Sequence, residues 1–379
     1  MITRVYIDNF RCFSNFEVRP DRVNLLIGKN GAGKSTFIEV VHNVVGFVAM
    51  GHAVEDVFPT DTLTRWDSRS SQRIEVEIDV TGSGWVYSYL VELNHDVPRQ
   101  TATLKKEMVK YVPIGVMGME RILFLYEDGT VRLHNNEGEL GEQFPFRGNR
   151  SFLSQLDARP ENALLTEFIE TLRDVWLLKL DPMNMDPDSE VESEALDPDG
   201  SNFASWYRHL SQENPRDIPI LFERLAENLP GFRALRAVST GKAGRKRELV
   251  ADFSAGDSKT TYEMFFDELS DGERAIIVLY SILLAAEAEP MTFLLDEPEN
   301  YVGLPLIQPW LVELAEAIRD KGQLFLVSHH PEVIDYLAAD QSLLFERQGG
   351  GPTRARFNPF DRDEGLRASE LVARGLLDG

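Results

Sequence analysis

Eight consecutive residues set the strongest limit on what this chain can fold into: Gly28-Lys29-Asn30-Gly31-Ala32-Gly33-Lys34-Ser35. They match the pattern G-x-x-x-x-G-K-[S/T]. An apolar run, Val23 to Ile27, precedes them and reads as a buried strand. A helix is expected from about Lys34 to Val48, where Ile38, Val41 and Val45 recur at helical spacing. Strand, glycine-rich turn and helix start, in that order, let backbone N–H groups close around phosphate oxygens. The helix start adds partial positive charge. Lys34 is expected to reach the β- and γ-phosphates, and the Ser35 hydroxyl to ligate Mg²⁺. Residues Gly28 to Ser35, with Thr36 beside them, are therefore candidate nucleotide-binding residues.

Composition narrows the setting. The 379 residues hold 39 Lys+Arg against 62 Asp+Glu, a formal charge of −23. A hydrophobic content of 43% excludes a wholly disordered chain. The length suits two domains, or one large domain with an insertion. Cys12 is the only cysteine, which excludes a disulfide or a cysteine-based metal site within one chain and fits a reducing, cytoplasmic setting. The opening residues carry charge where a secretory leader needs an apolar run. The longest apolar stretch, Ala275 to Ala286, is too short to span a bilayer. A secreted or integral membrane protein is not expected. The acidic balance argues against a surface coated for DNA, yet leaves room for a local basic patch.

The opening pattern around VYIDNF and FEV reads as two short strands about a turn. Period-two runs from Gln72 to about His134 read as an antiparallel sheet. Glu161 to Leu180 reads as helical. Met183 to Ser201, acidic and rich in Asp-Pro and Ser, reads as a mobile loop. Helices are expected at Asn202 to Glu213 and Ile218 to Asn228, then a hairpin from Phe232 to Phe266. The last third alternates: helix 272–287, strand 291–296, helix 305–320, strand 323–328, helix 331–338, strand 342–346. That alternation implies a mostly parallel sheet. No repeat and no long heptad run is present.

Three further motifs carry chemistry. Phe293, Leu294 and Leu295 run into Asp296 and Glu297, which puts two carboxylates at a strand end, where ligands bind in parallel sheets. Asp296 suits a Mg²⁺ shell, and Glu297 suits a general base that polarises the attacking water. Ser270-Asp271-Gly272-Glu273 starts the 272–287 helix and forms a second helix-start anion site. One chain needs only one such site per γ-phosphate. Two chains facing head to tail use both, each offering this segment to the other's nucleotide. The same residues spell a capping box, and both readings can hold together. Finally, His329 follows the strand QLFLV, where it could contact the γ-phosphate or the attacking water. It is preferred over His330 as nearer the strand end.

The order GKNGAGKST, ELSDGERA, FLLDEPEN, VSHHPEVID resembles ATP-binding-cassette ATPases of the RecF/SMC-like branch. It looks most like the stand-alone AAA-family ATPases related to OLD-like and anti-phage defence proteins. The start VYIDNFRCFSNFEV, the segment LDPDGSNFASWYRHL and DEPEN support that branch over transporter ATPases. The resemblance implies an α/β P-loop fold: an ABC-ATPase head with a mostly parallel core (1–50 and 266–346). An antiparallel β-lobe (72–135) and a helical lobe (150–230, with the acidic loop 183–201) are inserted. A hairpin (232–265) leads to the signature, a tail (347–379) follows, and no long coiled coil is expected. It makes Lys34 and Ser35 the Walker A pair, Asp296 and Glu297 the Walker B pair, Ser270–Glu273 the signature and His329 the switch histidine. Asn300 falls in the segment that crosses to a partner protomer, and Arg11 resembles a basic residue that approaches nucleotide or DNA. The glutamine that joins the Mg²⁺ shell is assigned to Gln155, with Gln143 and Gln72 as alternatives. Val302-Gly303-Leu304-Pro305 departs from the Leu-His-Pro of many relatives, which leaves the partner-crossing contacts of this loop open.

The expected activity is Mg²⁺-dependent ATP hydrolysis in a homodimer formed on ATP binding, gating a DNA- or partner-bound state in DNA repair or phage defence. The alternative is a slow ATP-gated sensor that restrains or activates a separate effector, a nuclease or toxin. Lys242, Arg245, Lys246 and Arg247, on an expected hairpin tip, are the candidate DNA contacts. Lys105, Lys106 and Lys110 form a smaller cluster. Nothing resembles a nuclease, and too few residues follow position 346 for a TOPRIM domain.

Overall fold

The computed structural model describes residues 1–80, 84–115, 118–240, 246–256, 260–360 and 367–374. The chain forms two compact units, Met1–Trp176 with Gln323–Gly379, and Leu177–Gly322. These boundaries differ from the expected ones, which grouped 1–50 with 266–346.

In the first unit, an eight-stranded antiparallel sheet runs Phe16–Val18, Ile2–Asp8, Ser71–Asp79, Trp85–Asp96, Thr101–Pro113, Arg121–Glu127, Thr130–His134, Leu140–Pro145. Its period-two pattern is the physical signature of a sheet with one covered face. Ile74, Val76 and Ile78 are buried, while Glu75 and Glu77 between them are half-buried and Arg73 before them is exposed. The expected β-lobe is not separate from the opening strands. Val5 pairs with Val76 and Ile7 with Ile74, so the chain's first strand is part of the same sheet. The sheet also continues past residue 135, to Pro145.

A second sheet of this unit places Val23–Ile27 between Gln323–Val327 and Ser342–Arg347, parallel to both. Val23–Ile27 and Gln323–Val327 are buried at every residue, as strands covered on both faces are. Thr353–Phe357, in the stretch expected to be a tail, pairs antiparallel on the edge. The helix Lys34–Val48 has the bounds expected and buries Ile38, Val41 and Val45. Its Phe37 ring lies 5.7 Å from those of both Phe325 and Phe345, a burial worth about 2–3 kcal/mol. The helix expected over 161–180 is shorter. It spans Ala163–Arg173, and Val175–Leu178 is a strand. Apolar residues at 175–178 satisfy either period over so short a run, and Asp174 ends the helix.

The second unit contains the antiparallel strands Phe232–Thr240, Lys246–Ser254 and Thr261–Phe265, with Asp188–Ser189 added at the edge. The acidic stretch is therefore not the mobile loop its composition suggests. Asp186 N donates to Ser201 O at 2.9 Å, Ser193 N to Ser205 O at 3.2 Å, and Met185 and Leu196 are buried. Helices Phe203–Glu213, Ile218–Asn228, Asp271–Ala288 and Leu304–Ala317 follow, and the strand Thr292–Asp296 is buried throughout. Among the described residues the longest helix has 18 residues, so none builds a coiled-coil arm. No helix among the described residues is long and apolar enough to cross a membrane.

Candidate nucleotide site

The phosphate-type loop is built on glycines that nothing else could replace at two positions. Gly28 has φ +139°, and a Cβ there would lie 2.3 Å from the Phe345 carbonyl oxygen. Gly33, at φ +105°, begins the helix; its Cβ would meet Cys12 Sγ at 2.7 Å. Gly31 differs: its φ is +78°, yet open space lies beyond it. Lys34 is only 5% exposed. Its Nζ donates to Gly28 O at 2.8 Å and Lys29 O at 3.3 Å, so the ammonium is held inside the loop. Ser35 is exposed at the first turn of the helix, with Thr36 half-buried behind it.

Two residues that the motifs do not mark fix this loop. Thr353, fully buried on the edge strand, donates its hydroxyl to Ala32 O at 2.8 Å and its N–H to Cys12 O at 2.9 Å. Phe345 supplies the carbonyl that abuts Gly28. Only the tertiary fold brings residues 345 and 353 to the loop, so no local pattern could have found them.

A cavity of about 750 Å³ opens here, lined by Gly28, Lys29, Asn30, Gly31 and Ala32, with His329, Phe345 and Arg347. His329 is exposed on its wall. His330 is committed elsewhere: its Nδ1 accepts from Glu332 N at 3.3 Å and caps the helix Pro331–Gln341. Arg11, with a left-handed φ of +44°, ion-pairs through Nη1 with Glu39 on the loop's helix.

In the second unit, Asp296 closes its buried strand and is 6% exposed. Lys179 Nζ lies 3.1 Å from its Oδ2. Glu297 has φ +54°, a conformation rare for a side chain this size, and its Oε2 accepts from Asn300 Nδ2 at 3.1 Å. Ser270 caps the helix Asp271–Ala288: its Oγ accepts from Glu273 N at 3.3 Å, and Glu273 Oε2 accepts from Ser270 N at 2.8 Å. This is the reciprocal box read from sequence. Asp271 pairs with Arg274 at 2.6 Å, and Arg274 Nη1 also donates to Pro182 O at 2.6 Å. Gly272 sits under the Tyr301 carbonyl, 3.0 Å from a Cβ it lacks.

The three glutamines have different surroundings. Gln155 is exposed at the end of the short 3₁₀ turn Leu153–Gln155, and Gln143 is exposed on the strand Leu140–Pro145. Gln72 is 1% exposed, and its amide is consumed by Asn9 O, Thr62 Oγ1 and the His95 ring, so it is a structural residue.

The expected basic patches are mostly spent. Lys242 and Arg245 lie outside the described residues. Lys246 is in a strand, not a tip, and pairs with Asp188; Arg247 Nη1 donates to Ala237 O at 3.1 Å. Lys105, Lys106 and Lys110 pair with Glu92, Glu127 and Glu120.

The residues fit ATP and Mg²⁺. The loop packs against Phe345 and Cys12 only because Gly28 and Gly33 lack side chains, open space lies beyond Gly31, and a lysine is held within the loop. In the second unit the buried Asp296 carboxylate is paired with the Lys179 ammonium. Among the described residues no group of three or more His, Cys, Asp or Glu gathers as a metal site. A Mg²⁺ shared with phosphates and water needs only one or two protein carboxylates.

Comparison with known proteins gives the fold a wider frame. Residues 1–47 match the family described as "AAA ATPase domain". The SMC head solved as "SmcHead bound to the C-winged helix domain of ScpA" aligns with a TM-score of 0.57 and 12% identity, covering 94% of this chain and 97% of that one. The SMC head domain from Thermotoga maritima aligns with a TM-score of 0.44 and 14% identity, covering 94% and 98%. No curated protein matches the chain. The fold is similar to that of an SMC head. Residues 127–335, more than half of the chain, match a second family, and the chain belongs to it: "AAA domain, putative AbiEii toxin, Type IV TA system".

Proposed function

We propose that this chain binds and hydrolyses ATP, and that the cycle gates its hold on another macromolecule. The observation that carries the reading is Lys34: a lysine 5% exposed, held by carbonyls inside a loop in which a Cβ at Gly28 or Gly33 would clash. Gly28 to Thr36 cradle the phosphates with backbone N–H groups, and Lys34 turns from the loop carbonyls to the β- and γ-oxygens. Ser35 and Asp296 hold Mg²⁺, with Gln155 as an outer member of the shell. The cation, when bound, neutralises charge on the phosphate oxygens. Glu297 accepts the proton of the attacking water, with Asn300 fixing its carboxylate. His329 orients the γ-phosphate end. Arg11 exchanges Glu39 for nucleotide or nucleic acid.

In this reading two copies meet head to tail, and Ser270 to Glu273 of one face the other's nucleotide. The helix start offers N–H groups to that anion while the capping box keeps the helix end intact. The work takes place in the cytoplasm, in phage defence or DNA repair. The test is phosphate release at high protein concentration, with and without DNA. No release under either condition overturns the reading.

A second reading has its own support. Basic side chains among the described residues of the hairpin are engaged: Arg236 binds Asp252 and Glu263, and Lys246 binds Asp188. With a net charge of −23, a protein partner suits the surface better than DNA. The chain would then be an ATP-gated clamp on an effector protein. A Glu297→Gln protein trapped with ATP decides between them: retention of DNA alone supports the first, retention of a protein alone supports the second.

A further inference from the structure

Asp296 ends a fully buried strand and is itself 6% exposed, so its charge needs a partner. That partner is Lys179, with Nζ 3.1 Å from Oδ2. The two ends of this pair are unlike. The Lys179 side chain is 67% exposed, reaching to the carboxylate from the solvent side. Its backbone is held: Lys179 N donates to Pro198 O at 2.7 Å, and Pro182, three residues on, accepts from Arg274 at 2.6 Å. A fixed backbone with a long, hydrated side chain makes a cation that can leave its anion at small cost.

We propose that Lys179 is a positioning residue for the metal step, a displaceable counter-cation that holds the Asp296 carboxylate in place until Mg²⁺ takes its position. This rests on the reading of Asp296 as a Mg²⁺-shell residue. Lysine and Mg²⁺ compete for the same carboxylate oxygens, so each weakens the other's hold. Lysine suits the role because its ammonium is a compact point charge on a flexible stem, without the two-pronged grip of arginine.

The competition is measurable without turnover. In Glu297→Gln protein, binding of a fluorescent ATP analogue is followed as Mg²⁺ is titrated. Adding Lys179→Met should lower the half-saturating Mg²⁺ about two- to five-fold, the size of a partly exposed ion pair. Lys179→Arg, which keeps the cation, should leave it at or above the parent value. An unchanged or raised Mg²⁺ requirement in Lys179→Met overturns the proposal. Because Lys179 is exposed, circular dichroism should show both Lys179 variants folded, and it checks the same for Asp296→Asn. Asp296→Asn separates the two levels. If it raises the Mg²⁺ requirement while Lys179→Met does nothing, only the counter-cation proposal fails. If Asp296→Asn also leaves the requirement unchanged, the assignment of Asp296 fails, and the proposal with it.

Discussion

Asn300 Nδ2 donates to Glu297 Oε2 at 3.1 Å, and the bond holds a carboxylate whose own backbone sits at φ +54°. Two changes should therefore differ in size. Glu297→Gln keeps the shape and loses the base, so phosphate release should fall at least about 100-fold with nucleotide binding retained. Asn300→Ala removes one orienting hydrogen bond, and a loss of about five-fold is expected. Single-turnover phosphate release beside fluorescent-nucleotide binding checks both. Equal losses would show that Asn300 does more than orient.

The loop glycines should not be equal either. Gly28→Ala would drive a Cβ to 2.3 Å from Phe345 O at φ +139°, and a destabilisation of about 2–3 kcal/mol or more is expected. Gly31→Ala meets no atom within 4 Å and carries only the left-handed penalty, about 1 kcal/mol. Urea unfolding of the two variants compares them directly.

Ser270 can be tested for its two duties. Ser270→Ala should cost about 1 kcal/mol through the lost cap, and Ser270→Asn should recover most of it. If Ser270 also serves a partner's nucleotide, turnover at high protein concentration stays depressed in Ser270→Asn. Full recovery of turnover would reduce the residue to a cap.

Glu107 gives the protein a pH signature. It is wholly buried, accepts from Ser151 Oγ at 2.7 Å and Tyr89 OH at 3.1 Å, and its Oε2 has no partner. The Glu107 charge in turn acts on Tyr126, whose hydroxyl it helps to push up after burial itself. Burial pushes the Glu107 carboxyl up from 4.5 to about 7. The folded state thus binds the proton more tightly than the unfolded one. Its contribution to stability is largest at and below pH 4.5 and is lost as pH rises to about 7, a change on the order of 3 kcal/mol. Glu107→Gln should remove that slope. The comparison must be between the two proteins, because His42 and His95, both lowered by burial to about 4, act with the opposite sign. Unfolding free energies at pH 5 and pH 7.5 supply the test.

Local periodicity made much of this fold legible. The helix Lys34–Val48 and the alternation after residue 270 follow from patterns a few residues long, and the capping box at Ser270 is a four-residue signal. What stayed hidden depends on distant partners. Composition made 183–201 look mobile, because backbone bonds from Asp186 to Ser201 leave no mark in the residue types. The strand Val175–Leu178 passed for helix because four apolar residues satisfy both periods. Gln72 is a candidate by residue type alone, and the bonds that occupy its amide come from Asn9, Thr62 and His95. Thr353, 321 positions from the carbonyl of Ala32, has no sequence signal for its part in the loop.

The chain's only sulfhydryl is Cys12, 6% exposed with Sγ under Gly33. The protein thus carries a built-in, single-copy chemical reporter on the floor of its phosphate loop. A thiol probe that reacts slowly at Cys12 reads the opening of that floor without any engineered cysteine or background to remove.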